Sequence, residues 1–305
     1  MNSQNWSWKP LTDTSITIVG TGLMGASLAL ALRGKVKSLH GVDVNPQHLQ
    51  DAAHCFDQLH QELNAESLGT DVIVLATPVR TIQVLLHRMS KYAQDGLIRP
   101  GTLILDLGST KRDITAAMDD LPESLLAVGG HPMCGKETSG PQTADGAIYD
   151  RARFVLCATK RSTPETIEFC CQLAEAIGAR PLLLDAKFHD ASVAAISHVP
   201  YLISAGLVGM VMQAVDQDAG GDDVAWKLAS TGFKDTSRLA ASDVTMMADI
   251  VESNREAVFH ALDLFGAQIE QLKLMLANSH DLQLRATLEQ IRAARKEWEA
   301  KYFKK

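Results

Sequence analysis

The chain holds ten histidines, and imidazole is the side chain whose ordinary pKa lets it take up or release a proton near neutrality. His40, His48, His54, His60, His87 and His280 fall in polar or helical contexts that read as surface positions. His131 differs, because it closes the run LLAVGGHP (125–132) in a Gly/Pro-rich loop where a strand should end. A base there can accept the proton of an alcohol as it is oxidised. Ser109, in Gly108-Ser109-Thr110-Lys111 after the run TLILDL (102–107), can donate to the same hydroxyl, bond the histidine, or cap a helix that starts near Lys111. His198 lies in Ser197-His198-Val199-Pro200 and reads either as a site residue or as a satisfied helix histidine. Pro200 should kink that helix and free a carbonyl. Arg238 ends Gly232-Phe233-Lys234-Asp235-Thr236-Ser237-Arg238, a polar, glycine-started interruption between helical stretches. Its guanidinium can hold a carboxylate through two hydrogen bonds; the alternative is an ordinary interhelical loop.

A second pattern lies upstream. The apolar run Ile16–Val19 leads into Gly20-Thr21-Gly22-Leu23-Met24-Gly25, an Ala/Leu-rich helix follows, and Asp43 stands at the end of the next run. Strand, glycine turn, helix and a later acidic residue together make a dinucleotide cradle. Gly20 permits the tight turn, Gly22 lets backbone approach a pyrophosphate, and Gly25 lets helix and strand pack closely. Leu23 and Met24 open the helix, whose free N–H groups and positive dipole end face the phosphates. Asp43 can accept from both ribose hydroxyls and repels a 2′-phosphate, which favours NAD over NADP. Ligands of such sheets sit beyond the carboxyl ends of the strands, so Thr77 and Pro78, after the run DVIVLATP (71–78), should border the nicotinamide ribose. No residue pattern suggests a metal site.

The elements that must position these residues follow from periodicity. Short β-rich runs at 16–19, 39–44, 71–78, 102–109, 125–132 and 153–159 alternate with helical stretches, and RPLLLD (180–185) follows a helix over 163–178. That alternation predicts a mostly parallel sheet covered on both faces. After Asp185 the strand signal vanishes, and helices are expected over roughly 188–215, 222–230, 240–278 and 281–301. The reading is an α/β Rossmann-type dinucleotide-binding domain, residues 1–186, followed by an all-α domain, residues 187–305.

Composition narrows the function classes. The 305 residues carry a net charge of −7, which invites no nucleic acid; the basic C-terminal cluster is interleaved with Glu297 and Glu299 and reads as a solvated helix end. Five cysteines, an odd number without metal-type spacing, fit reduced thiols in a cytoplasmic protein. The N-terminus has no apolar core and so no signal-peptide pattern. Residues 191–215 contain no Asp, Glu, Lys or Arg, yet His198, Pro200, three serines, Gln213 and an acidic rather than basic flank argue against a membrane span. The expectation is a helix buried in the core or at a subunit interface.

GTGLMGASLA, LDLGSTK, GGHPMCGKETSG, ISHVP and GFKDTSRLA, in that order, resemble the prephenate/arogenate dehydrogenase family of tyrosine biosynthesis. The resemblance implies NAD(P)-dependent oxidation of a ring hydroxyl with loss of the ring carboxylate as CO2. It implies that His131 accepts the hydroxyl proton with Ser109 beside it, that Arg238 anchors the ring carboxylate and that Asp235 supports the site or a dimer contact. His198 then lines the side-chain end of the substrate, and the helical domain dimerises. Two positions depart from the family pattern: Tyr201 stands where some members have a second histidine, and Cys134 where alanine is common. No appended regulatory or mutase domain is expected after the helices. NAD use and the Lys136-Glu137-Thr138-Ser139-Gly140 extension favour prephenate as substrate over arogenate, with acceptance of both also open. Oxidation of a 3-hydroxyacid would instead predict a catalytic lysine in the helical domain. A nucleotide sensor without activity would predict a broken site, whereas His131, Ser109 and Arg238 are all present.

Overall fold

The computed structural model describes residues 8–136, 138–218 and 224–303. Among these residues, eight strands form one sheet in the order β3-β2-β1-β4-β5-β6-β7-β8. They are β1 (Ser15–Val19), β2 (Ser38–Val42), β3 (Gln58–His60), β4 (Val72–Leu75), β5 (Leu103–Asp106), β6 (Leu126–Pro132), β7 (Arg153–Ala158) and β8 (Arg180–Leu183). All neighbours pair in parallel except β6 and β7. The strand order reverses direction between β1 and β4, which opens a crevice at their carboxyl ends. Seven of the eight strands match β-rich runs in the sequence, RPLLLD (180–185) at β8 included. The three-residue β3, with its polar sequence Gln58-Leu59-His60, has no such signal and was not expected.

Alternation sorts the sheet into two cores. Ile16, Ile18, Val72, Val74, Leu103 and Leu105 face one side, against Leu28 and Leu32 of α1 (Leu23–Leu32). Ile73, Leu75 and Ile104 face the other. Every residue of β4 and β5 is buried, as expected of parallel strands covered on both faces. Two short helices, α2 (Pro46–Asp51) and α3 (Ala65–Leu68), fill the next crossovers. The long crossovers run through α4 (Val79–Gln94), α5 (Arg112–Asp119) and α6 (Pro164–Ala176). In α4 the buried Val79, Ile82, Leu85, Leu86 and Met89 recur at helical spacing, so one face packs and the other is wet.

After β8, Asp185 caps α7 (Ala186–Val193) by accepting from the amides of Lys187 and Phe188. Residues 194–198 then widen into one π-helical segment before α8 (Val199–Asp218). Pro200 supplies the physical reason: it has no N–H to donate and its ring clashes with the carbonyl one turn back, so the ladder shifts by a residue. Next come α9 (Val224–Leu228), α10 (Thr231–Ser237), α11 (Val244–Ser253), α12 (Arg255–Ala277) and α13 (Asp281–Tyr302).

Three expectations are corrected here. The glycine-started interruption is itself helical: α10 covers Thr231–Ser237 and a 3-10 turn covers Arg238–Ala241. Thr236 and Ser237 bond back to the carbonyls of Gly232 and Phe233, so these polar side chains satisfy themselves within the helix. The long helix expected over 240–278 is interrupted at Asn254, whose side chain is engaged elsewhere. For residues 191–215, the core alternative is corrected: Val193, Ala194, His198, Val199 and Ser204 are buried, but most of the segment is not covered by its own chain. By length and composition the continuous helix at residues 186–213 could cross a membrane, and only 17% of its most apolar window is covered; Ile196, Met210 and Met212 are exposed. Residues 222 and 223, and the side chains of residues 214 and 215, lie outside what the structure describes.

The chain divides into two compact units, Met1–Arg255 and Glu256–Lys305. The first holds the sheet and α7–α11. Within it Arg80, on α4, pairs with Asp249 at 3.2 Å and with Glu252, both on α11. In the second, α12 and α13 are largely solvent-exposed along their length, and α13 has no buried residue.

Candidate active site

The glycine turn is shaped by contact. Gly20 has a φ of +98°, and a Cβ there would lie 2.6 Å from the carbonyl oxygen of Ala76, at the end of β4. A Cβ on Gly25 would come within 1.9 Å of the Gly20 carbonyl oxygen. Gly22, in contrast, has nothing within 4 Å of its Cβ position. Two glycines are therefore required by the chain's own packing, and the third borders open space at the N-terminus of α1, where a pyrophosphate fits. Leu23 and Met24 form the first turn of α1. Met24 packs on the core, and its carbonyl accepts a 2.7 Å bond from the buried Tyr149 hydroxyl, which anchors that turn.

Asp43 follows β2 and reaches into the same crevice. One carboxylate oxygen accepts from the Thr21 amide at 2.9 Å and the Thr21 hydroxyl at 3.1 Å; the other accepts from the Asn45 amide. His48 Nδ1 lies 3.3 Å away. The carboxylate thus ties the β2 end to the glycine turn as well as offering charge to a ribose. Thr77 and Pro78 follow β4, and the Thr77 hydroxyl is buried without a hydrogen-bond partner among the described residues. A buried, unpartnered hydroxyl at a strand end in the crevice is a group that a bound ligand would satisfy. These features fit a bound dinucleotide. Asp43→Ala is expected to lower kcat/KM for NAD by about tenfold or more and to raise the NADP:NAD preference by at least as much, since it removes both ribose acceptor and 2′-phosphate repulsion. Steady-state kinetics with both cofactors checks this.

At the far side of the crevice, His131 stands in β6, partly buried. Its Nδ1 lies 2.8 Å from Nε2 of His189, on α7. His189 Nδ1 lies 2.7 Å from Asp190 Oδ1. The carboxylate of Asp190 also receives the amides of Lys111 (2.7 Å) and Arg112 (2.9 Å). Asp190, not Ser109, therefore caps α5, which corrects the capping alternative for Ser109. That serine lies at the end of β5, partly exposed, with no hydrogen bond among the described residues.

These contacts order the protons. Asp190 is an acceptor, so His189 carries hydrogen on Nδ1 and presents a lone pair at Nε2. His131 then donates from Nδ1, and its own Nε2 is left as the basic nitrogen. The logic is that of a carboxylate fixing a histidine tautomer, extended by one imidazole. Burial, then His189, Lys111 and His198, hold the His131 imidazole well below the ordinary histidine range. Burial also pushes the Asp190 carboxyl up, but hydrogen bonds from His189, Arg112 and Lys111 overcome that and hold it low.

His198, in the π-helical segment, is buried, and burial lowers its pKa to about 4. Asn254, at the break between α11 and α12, donates to the Asp190 carbonyl at 2.7 Å and lies 3.3 Å from His198 Nδ1. The π segment, the break at Asn254 and the start of α7 thus converge on one buried polar network. Of the expected residues, His131 and His198 belong to it. Arg238 and Asp235 are exposed on α10 and the turn after it; Arg238 lines a cleft of about 430 Å³ with Phe233, Lys234, Ser237, Ala241 and Ser242. Glu137 of the loop extension lies outside the described residues.

His189, Asp190 and Asn254 were missed from sequence. Phe188-His189-Asp190 reads as the opening of an ordinary helix, and Asn254 as one polar residue in a long one. The available signal was the adjacent His-Asp pair entering a charge-free stretch. His40 is a smaller miss: it is buried in β2, not on the surface, and burial, with His60 beside it, lowers its pKa.

Two family models cover most of the chain: the prephenate dehydrogenase nucleotide-binding domain matches residues 27–183, and the prephenate dehydrogenase dimerization domain matches residues 185–290. The chain belongs to the prephenate dehydrogenase family. Prephenate dehydrogenase of Lactococcus lactis is 27% identical over 265 residues, 86% of this chain and 71% of that protein. Arogenate dehydrogenase of Synechocystis superposes with a TM-score of 0.80 at 28% identity, covering 93% of this chain and 99% of that one. Prephenate dehydrogenase of A. aeolicus, in complex with hydroxyphenyl propionate and NAD+, superposes with a TM-score of 0.84 at 26% identity, covering 95% and 99%. The protein is an NAD-dependent oxidoreductase of tyrosine biosynthesis, on a Rossmann-type domain followed by helices. The first family match begins at residue 27, so the glycine turn is read from sequence and geometry alone.

Proposed function

We propose that this family member oxidatively decarboxylates prephenate to 4-hydroxyphenylpyruvate, with His131 as base. The hydrogen-bonded chain from His131 through His189 to Asp190 carries the proposal, because it leaves one neutral imidazole nitrogen basic at a strand end beside the crevice. Gly20, Gly22, Leu23, Met24, Gly25, Asp43, Thr77 and Pro78 would hold NAD, which supplies the hydride acceptor. His131 Nε2 takes the ring hydroxyl proton as hydride leaves the same carbon. The bond to the ring carboxylate then breaks, CO2 departs, and its electron pair completes the aromatic ring while the ring carbonyl oxygen takes back the proton from His131. Aromatisation makes this last step downhill, so the chain's task is positioning and proton removal. Ser109 bonds the hydroxyl or the imidazole, Arg238 anchors the ring carboxylate with Asp235 in support, and His198 borders the side-chain end.

Arogenate is the second reading, favoured by the Synechocystis likeness; the substrates differ only by a keto or amino group. The domain division at residue 186, a homodimer through the helical domain and a cytoplasmic location complete the proposal. The dimerization-domain match and the uncovered apolar face of the helix at residues 186–213 support the homodimer. Partners are then small molecules and a second copy, with no nucleic acid and no membrane. NADH absorbance with prephenate and with arogenate tests the reading. Faster turnover of prephenate is expected; NAD binding with turnover of neither substrate overturns it.

A further inference from the structure

Lys111 is the only lysine fully buried among the described residues. Its ammonium pairs with Asp106, and both side chains have 0% exposure. Lys111 Nζ also donates to the Gly130 carbonyl at 2.6 Å, while Asp106 accepts from the amides of Gly108 (2.7 Å) and Gly130 (3.0 Å). Burying an ion pair costs much of what its attraction returns, and apolar residues of similar volume often hold a core as well. The placement suggests another role. Asp106 ends β5, three residues before Ser109, and Gly130 immediately precedes His131 on β6. The pair therefore clamps together the two strand ends that carry the proposed base and its hydroxyl partner. Its two ends are not equivalent: the ammonium abuts the carbonyl of the peptide joining Gly130 to His131, while the carboxylate is occupied by main-chain amides.

We propose that Lys111 is a positioning residue for His131: held by Asp106, its ammonium fixes the Gly130–His131 peptide and biases the imidazole toward its neutral, proton-accepting form. This rests on His131 being the base. The other titratable groups around His131 are His189 and Asp190 from α7, His198 from the π segment and Asp106 from β5. The neutral Asn254 side chain donates to the Asp190 main-chain carbonyl and lies 3.3 Å from His198 Nδ1. Lys111 is the cation whose ammonium contacts the Gly130–His131 peptide, and a nearby cation disfavours a second positive charge.

The test is the pH profile of kcat/KM in the full-length protein, in wild type, in the double variant Asp106→Asn/Lys111→Met, which removes both charges together, and in Lys111→Met alone. Thermal melting and NAD binding confirm a folded cradle. The acidic limb, where His131 takes up a proton, should move to higher pH by about half a unit or more, roughly a threefold loss of activity at a pH on that limb. Lys111→Met should move it the same way, so either variant decides if the other does not fold. A folded variant that loses turnover with its limb unmoved overturns the proposal, because the pair is then purely structural. His131→Asn separates the two layers: a limb that persists in that variant overturns His131 as base, whereas a limb that disappears there yet stays unmoved in the charge-pair variants overturns only the role of Lys111.

Discussion

His131→Asn lowers kcat by about 10²–10⁴-fold, the usual contribution of a positioned general base, and leaves the Kd for NAD within about twofold of wild type. Asparagine keeps a polar group of similar reach but cannot accept a proton at neutral pH. The loss should fall on kcat because the hydroxyl proton moves as the hydride leaves, so the base acts chiefly in the transition state. The wild-type profile should show an acidic limb below the ordinary histidine range, since burial together with His189, Lys111 and His198 disfavours the imidazolium. Activity is thus present while His131 is neutral and is lost as pH falls through its lowered pKa. Stability has the same sign. His131 and His198 resist protonation in the folded chain but accept protons at about pH 6.5 once unfolded, so acid below that value favours unfolding. Steady-state kinetics with a fluorescence titration of NAD checks the first claim; turnover of the variant near the wild-type rate removes His131 from the mechanism.

Gly25→Ala destabilises the fold by about 1–3 kcal/mol or more and cuts kcat/KM for NAD by about 10²-fold. The added methyl would sit 1.9 Å from the Gly20 carbonyl oxygen, a clash that only moving α1 away from β1 relieves. That movement carries the N-terminal amides of α1 away from the phosphates. Gly22→Ala is the matched control. Its methyl meets nothing within 4 Å in the chain, so melting should be unchanged while NAD affinity falls, if the open space is where the pyrophosphate lies. Thermal melts and NAD titrations of both variants check the pair. Equal melting of Gly25→Ala and wild type contradicts the packing argument.

The nucleotide cradle was legible because its signals are contiguous. Strand, glycine turn and helix occupy residues 15–32 without interruption, and Asp43 stands one crossover away. His131 was legible because a histidine between glycine and proline at a strand end is a local oddity. The helical region was harder. Its residues are apolar on several sides, so periodicity alone separated neither α11 from α12 nor loop from α10. The breaks are set by polar side chains engaged at a distance: Asn254 is drawn to the Asp190 carbonyl and His198, and Ser204 donates to the Thr236 carbonyl. Nor does periodicity say whether an apolar helix is covered by its own chain, and residues 186–213 show that it is not.

By itself, then, the amino-acid order determined the parallel sheet, the dinucleotide turn and the presence of an imidazole at the end of β6. Each follows from neighbours within one or two elements, through glycine geometry and alternating burial. Only the tertiary structure decided which groups surround that imidazole. His131 meets His189 across 58 positions, and Lys111 meets Asp190 across 79. No local spacing encodes such pairs, because they exist only once the sheet and α7 are packed together and water is excluded between them.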